Sequence, residues 1–278
     1  MDEPETPNGH CGCAAEPKRW LLICLDGVPL VEMRRLWDDG HFRDFYRPSA
    51  LVSTFPSDSE IALTSALHAS PVPGYEHRFF DRGGVWVTLS GKNIPYLREL
   101  DYDQPGIFKS LHFVLQRKSY RADVGRFLTS FRKSESRLFV ARIASTDALY
   151  HILQPEQARS LLLEFEAVLR ELCLDARGDL GVVMFSDHGN SLIASRAVPL
   201  EELLKRYGWR PTNHLRDSRD VVTPAYGLIG FLAVYCRDQE LRKCQEVRKE
   251  VDQVLNKMGT LRHRSAKISS FWRKEIRP

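Results

Sequence analysis

Residues 20–27 read WLLICLDG, an uninterrupted apolar run that stops at Asp26-Gly27. A run of this kind predicts a strand buried on both faces, as in a parallel sheet. Further strand-like runs alternate with stretches of helical spacing. This alternation predicts an α/β fold with a mostly parallel central sheet and helices on both faces. The predicted strands are 20–25, 50–55, 85–89, 137–143, 180–185 and 227–235, and the predicted helices are 29–39, 60–69, 107–116, 124–131, 156–174, 200–207 and 239–258.

Composition excludes several classes of protein. The chain has 278 residues, is 43% hydrophobic and 27% charged, and carries a net charge of +4, so we expect a globular protein without specific nucleic-acid binding. No stretch approaches the roughly 18 apolar residues of a membrane helix, so no membrane span is predicted. The N-terminus lacks the pattern of a secretory signal, which makes the cytoplasm the predicted location. The oligomeric state is left open.

The six cysteines predict no disulfide framework in a chain of this length. Cys24 and Cys236 lie within apolar runs, which is typical of buried free thiols. Cys11-Gly-Cys13 beside His10 is only a weak candidate for binding a soft metal.

Residues 1–18 are rich in Pro, Glu and Gly and are predicted to form a disordered tail. The α/β domain is expected over 19–260, with a small cap or irregular insertion at about 75–135. Residues 261–278 form a basic tail without periodicity.

Polar side chains follow the predicted strands where each strand ends. Asp26 follows the first, Ser59 follows the second within PSDS (56–59), Asp147 and His151 follow 137–143, and Asp187-His188 follow 180–185. In a parallel sheet such positions meet at one edge, where ligands bind.

These residue types suit a metal-dependent reaction. Asp147 and His151 are four residues apart and would share one face of a helical turn. Mixed Asp and His ligands favour zinc or manganese, and a pair of such ions clamps the attacking and leaving oxygens in phosphoryl transfer. Coordination of a serine hydroxyl such as that of Ser59 makes it a nucleophile at neutral pH.

Five segments together resemble the alkaline phosphatase superfamily, in particular its branch of nucleotide pyrophosphatases and type I phosphodiesterases. They are LLICLDG (21–27), TFPSDS (54–59) with SPVPGYE (70–76), STDALYH (145–151) and FSDHGN (185–190), in the order that the family uses. The resemblance implies an alkaline phosphatase-like fold and two divalent metals.

Carried over by position, the resemblance makes Asp26, Asp187 and His188 ligands of one metal, with Ser59 as bridging nucleophile. Asp147 and His151 become ligands of the second metal. The family's diesterase branch usually has Thr where this chain has Ser59. It also supplies a late His within a His-Gly dipeptide, which is missing late in this chain, so that His214 and His263 are the candidates for the last ligand.

Taken singly, each feature has a structural explanation. Asp26-Gly27 suits a turn, Asp147 suits a helix N-cap, and Ser57, Asp58 and Ser59 all suit the cap of the helix that follows them.

We therefore expect a metal-dependent phosphoric ester hydrolase, a phosphodiesterase or nucleotide pyrophosphatase by resemblance, acting on a small phosphate ester. The alternative is a catalytically impaired relative that binds a ligand or a partner. A phosphomutase ranks behind both, since only Ser59-Glu60-Ile61 suggests it, and the sulfatase signature is absent.

Overall fold

The computed structural model describes residues 16–71, 78–80, 86–89, 93–104, 115–192, 200–223, 234–236 and 249. The described residues belong to two compact units, the first reaching to residue 192 and the second beginning at residue 200. The domain predicted over 19–260 stays a prediction. The described elements of the first unit are, in chain order, β1 (Arg19–Leu25), α1 (Leu30–Asp38), α2 (Ser59–Ala66), β2 (Arg78–Phe80), β3 (Trp86–Thr88), α3 (Gln116–Lys133), β4 (Leu138–Ile143), α4 (Ser145–Ile152), α5 (Pro155–Asp175) and β5 (Leu180–Phe185).

The sheet of the first unit places β1 between β4 and β5, and all three described strands run parallel. Leu22 of β1 pairs with Val140 of β4 and with Val183 of β5. The predicted α/β class and parallel sheet are confirmed. The alkaline phosphatase-like arrangement is a finer prediction than this topology tests.

One face of the sheet carries the main hydrophobic core. Leu21 and Ile23 of β1 are fully buried and belong to one cluster with Phe127 of α3 and Phe165 of α5. The rings of Phe127 and Phe165 lie 6.4 Å apart between centroids. Burying a side chain of this size contributes about 1.5–3 kcal/mol to the free energy of unfolding. The apolar faces of α3 and α5 therefore stabilise this side of the sheet.

The opposite face is covered by α2 and a 3₁₀ turn at Pro95–Arg98. Cys24, which alternates with Ile23 along β1, clusters there with Leu63 of α2 and Tyr96 of the turn. Helical segments therefore lie on both faces, as predicted.

One predicted strand is wrong. Residues 50–55 are described without any strand pairing, and Val52 is 93% exposed. Pro48 and Pro56 flank the run, and proline cannot donate to a strand ladder. The apolar pattern alone does not distinguish this exposed extended segment from a buried strand.

The region predicted as a small cap, about 75–135, is mixed in character. β2 and β3 pair as a short antiparallel hairpin. By contrast α3 contributes Tyr120, Val124 and Phe131 to the main core, so this part of the region belongs to the α/β layers.

The second unit contains α6 (Leu200–Arg206), β6 (Arg210–Pro211) and β7 (Asp220–Val221). Its described core consists of Leu204, Trp209 and Val221, with Cys236 packed beside them. Cys236 is disulfide-bonded, which corrects the expectation of a free thiol at this position.

Several predictions lie outside the described residues or remain open. Among the helices that the structure describes, none is both long and apolar enough to cross a bilayer. The predicted cytoplasmic location stays a prediction. Outside the described residues are most of both tails, the Cys11–Cys13 motif, nearly all of the predicted helices 107–116 and 239–258 and most of the predicted strand 227–235.

Candidate metal centre

The carboxyl ends of β1, β4 and β5 lie at one edge of the sheet because the three strands are parallel. Asp26 directly follows β1, and Asp187-His188 come one residue after β5. Asp26 and Asp187 are buried, and the His188 side chain is 13% exposed. The fold thus brings the three residues of the first predicted ligand set to one place.

Ser59 reaches this cluster from the first turn of α2. Asp58, not Ser59, caps the helix, since its carboxylate accepts hydrogen bonds from the backbone N–H groups of Glu60 and Ile61 at 3.0 and 3.4 Å. The Ser59 hydroxyl is therefore available to the cluster. Its Oγ donates to Asp26 Oδ1 at 3.1 Å and lies 3.1 Å from His188 Nε2.

The two carboxylates are each held by one oxygen. Arg142 Nε and Nη2 donate to Asp26 Oδ2 at 2.9 and 2.5 Å. Asp187 Oδ1 accepts from the Gly27 backbone N–H at 3.3 Å and from Cys24 Sγ at 3.7 Å. Among the described residues, Asp187 Oδ2 is buried without a hydrogen bond, and its nearest ion-pair contact is His188 Nε2 at 3.8 Å. Each carboxylate thus directs its second oxygen into the cluster.

The charges of the cluster are strongly coupled. Burial would raise the pKa of Asp26, but Arg142 and His188 outweigh burial and hold this pKa well below its usual range. Burial, reinforced by the charge of Asp26, raises the pKa of Asp187 to about 6. Burial opposes a charged His188, yet Asp26 and Asp187 raise the pKa of His188 to about 10. Without a metal, a protonated imidazole stands opposite the two carboxylates.

Asp26, Asp187 and His188 fit a divalent cation. One ligand atom from each lies within 4.8 Å of the other two. The orphaned Asp187 Oδ2 is a buried acceptor that a cation would satisfy. Carboxylate oxygens and an imidazole nitrogen suit zinc or manganese.

Asp147 and His151 form a separate pair on α4. His151 Nε2 lies 3.1 Å from Asp147 Oδ1, and the two side chains are 22% and 26% exposed. Ala144 occupies the N-cap position of α4, so Asp147 does not cap the helix. Asp147 lies against Gly27, where a Cβ atom would come within 2.5 Å of Asp147 Oδ1.

The predicted last ligand is not located by the described residues. His214 lies in the second unit, where its backbone N–H donates to Thr212 Oγ1 at 3.4 Å in an exposed segment. His263 lies outside the described residues.

Sequence reasoning missed the groups that hold the ligands. Arg142 was counted only as part of a strand, although a charged residue inside the run LFVARI (138–143) was a usable signal. Ser53 was counted as part of the incorrect strand, but its hydroxyl donates to the Asp187 carbonyl at 2.6 Å. Tyr96, which accepts a hydrogen bond from Arg142 at 3.0 Å, lies in a region where no pattern pointed to it.

Comparison with protein-family models, curated proteins and solved structures finds no match to this chain.

Proposed function

We propose that this chain is a metal-dependent phosphoric ester hydrolase, of the phosphodiesterase or nucleotide pyrophosphatase type, with Ser59 as nucleophile. One observation carries the proposal. The Ser59 hydroxyl lies at hydrogen-bond distance from both Asp26 and His188. It stands next to two buried carboxylates, and the Oδ2 atom of one of them, Asp187, makes no hydrogen bond within the described chain. A capping serine would face the helix N–H groups, and Asp58 already fills that role.

Asp26, Asp187 and His188 would hold a divalent ion, zinc or manganese, next to Ser59. When bound, that ion would lower the pKa of the serine hydroxyl and neutralise charge on the phosphoryl oxygens. The motif resemblance proposes a second ion at Asp147 and His151.

The residues of the chain position the reaction. Asp26 Oδ1 accepts the hydrogen bond of the Ser59 hydroxyl and so fixes the direction of Oγ. Ser59 Oγ would then bond to phosphorus while the bond from phosphorus to the departing alcohol breaks, and the alcohol would leave with the proton that the Ser59 hydroxyl gives up. Water subsequently cleaves the phosphoserine and restores the Ser59 hydroxyl. Most of the rate enhancement of such a reaction comes from positioning and charge stabilisation.

The test compares Ser59→Ala with Ser57→Ala, a neighbouring serine whose side chain is exposed. Purified protein is loaded with Zn²⁺ or Mn²⁺, assayed for bound metal, and offered p-nitrophenyl phosphate and bis-p-nitrophenyl phosphate. We expect the wild type and Ser57→Ala to hydrolyse at least one of these two esters at equal rates. Ser59→Ala should lose at least about 1000-fold in turnover while retaining its metal. Equal turnover of Ser59→Ala and wild type would refute the nucleophile.

A second candidate function is ligand binding at the same edge of the sheet without catalysis. The Asp147–His151 pair favours it, because these two groups contact each other instead of presenting free ligand atoms to a second ion. Metal stoichiometry separates the candidates, because two bound ions with turnover support the hydrolase. One ion or none, without turnover on either ester, supports the silent relative.

A further inference from the structure

Arg142 carries a buried positive charge near the carboxyl end of β4, in an otherwise apolar strand. It is 7% exposed and pairs in register with Cys24 of β1. A guanidinium cannot lose its proton in a protein, so its burial requires full pairing. The partner that it finds is Asp26, a proposed metal ligand.

The contact between the two side chains is asymmetric. The common geometry of an Arg–carboxylate pair is a fork in which two N–H groups bind the two oxygens. Here both Nε and Nη2 of Arg142 converge on Asp26 Oδ2, at 2.9 and 2.5 Å. Asp26 Oδ1 is left to Ser59 and to His188, whose Nε2 lies 3.3 Å away. If the pair served only to neutralise charge, Arg142 would have no need to leave Asp26 Oδ1 to other groups.

The far side of the guanidinium is fixed as well. Nη1 of Arg142 donates to the Tyr96 hydroxyl at 3.0 Å and lies 3.8 Å from Asp103 Oδ1. Tyr96 is 2% exposed and sits in the 3₁₀ turn packed on the same face of the sheet. These contacts hold the guanidinium against rotation, and through it they hold Asp26.

We infer that Arg142, anchored by Tyr96, is a positioning residue that restricts Asp26 to a single coordinating oxygen facing Ser59. This inference rests on the proposed function. The positive charge of Arg142 is shared between Asp26 and Asp103, so it offsets part of the negative charge beside the proposed ion.

Arg142→Met is the decisive variant. It frees Asp26 Oδ2 as an additional ligand oxygen and removes a positive charge that repels the ion. We therefore expect the protein to bind Zn²⁺ more tightly, on the order of tenfold, and to hydrolyse bis-p-nitrophenyl phosphate more slowly, on the order of 100-fold. If Arg142 had a purely structural role, its substitution would lower Zn²⁺ affinity and turnover together.

Two further variants cover a failure of Arg142→Met to fold. Arg142→Lys keeps the charge without the planar group, and Tyr96→Phe removes only the anchor. Both should bind Zn²⁺ within about threefold of the wild type and lose roughly tenfold in turnover. Arg137→Met is the matched control, since Arg137 lies just before β4 and its side chain is exposed.

The outcomes separate the inference from the proposed function. Tighter Zn²⁺ binding with slower hydrolysis in Arg142→Met supports both. Tighter binding in that variant, with no hydrolysis by the wild type, supports the positioning of Asp26 and overturns the hydrolase. Weakened Zn²⁺ binding in all three variants, no difference from Arg137→Met, or a wild type that binds no Zn²⁺ overturns the inference.

Discussion

The cluster of Asp26, Asp187 and His188 and the pair of Asp147 and His151 contain the same chemical groups and differ in how they are held. The cluster is assembled from loops after two strands, and Arg142, Gly27 and Cys24 hold the outer oxygen of each carboxylate. The pair is built within one helical turn, and its two members contact each other at 3.1 Å. The cluster therefore offers one ligand atom from each of three residues within 4.8 Å of one another, whereas the pair offers two groups from one helix.

The largest expected effect on metal affinity comes from a substitution in the cluster and not from one in the pair. Asp187→Asn should weaken the tighter of the bound Zn²⁺ ions by more than about 100-fold, because it removes the carboxylate with the orphaned Oδ2. Asp147→Asn should leave that affinity within a few-fold and affect only the weaker ion. Calorimetric titration of metal-stripped protein with Zn²⁺ measures both. Equal weakening of the tight ion by the two substitutions would contradict the distinction between the sites.

The next effect compares the two imidazoles in metal-free protein. Asp26 and Asp187 raise the pKa of His188 to about 10, and the hydrogen bond that His151 donates to the Asp147 carboxylate raises the pKa of His151 above its usual value. A raised folded pKa stabilises the protein fully below the unfolded value near 6.5, and this contribution is lost as pH rises towards 10. The free energy of unfolding should therefore fall between pH 7 and 10, with His188 alone contributing at most about 1.4 kcal/mol per pH unit.

Urea denaturation at a series of pH values tests this slope. Below about pH 8, His188→Gln should remove most of it and His151→Gln a smaller part, while above that pH the raised pKa of the buried Cys24 thiol adds to the fall. Asp187, whose pKa is about 6, loses its proton below this window and does not contribute to the slope. A wild type whose stability is constant or rises from pH 7 to 10 would show that His188 is not charged in the fold.

The smallest effect concerns Gly27, the backbone link between the two sites. Gly27 has φ +66° and a Cβ there would lie 2.5 Å from Asp147 Oδ1. Gly27→Ala should cost about 1–3 kcal/mol and displace Asp147, which weakens the second ion. Gly178→Ala is the control, because Gly178 has φ +88° with no heavy atom of the described chain within 4 Å of the new Cβ.

Thermal denaturation and Zn²⁺ titration of the two variants separate strain from displacement. Both variants should lose stability, and only Gly27→Ala should lose affinity at the weaker site. If Gly27→Ala binds both ions like the wild type, Asp147 is not a ligand.

The layers of the fold could be predicted because buried parallel strands leave a continuous apolar signature. The runs at 20–25, 137–143 and 180–185 match β1, β4 and β5 to within one residue. The run at 50–55 failed because hydrophobicity records the side chains and not the presence of a neighbouring strand. The candidate ligands could be predicted because each one follows a recognisable strand or lies in the helix that comes after it.

By itself, the sequence determined the α/β class, the parallel strands and the identity of the polar residues at their ends, because these properties depend on short local patterns. The tertiary structure decided which of those residues meet, that Asp58 takes the cap and releases Ser59, and that Arg142 holds one oxygen of Asp26. Arg142 and Asp26 are 116 residues apart, and Cys24 and Asp187 are 163 apart. Local patterns carry no record of contacts over such separations, because parallel pairing of β1 with its two neighbours creates them only when the chain folds.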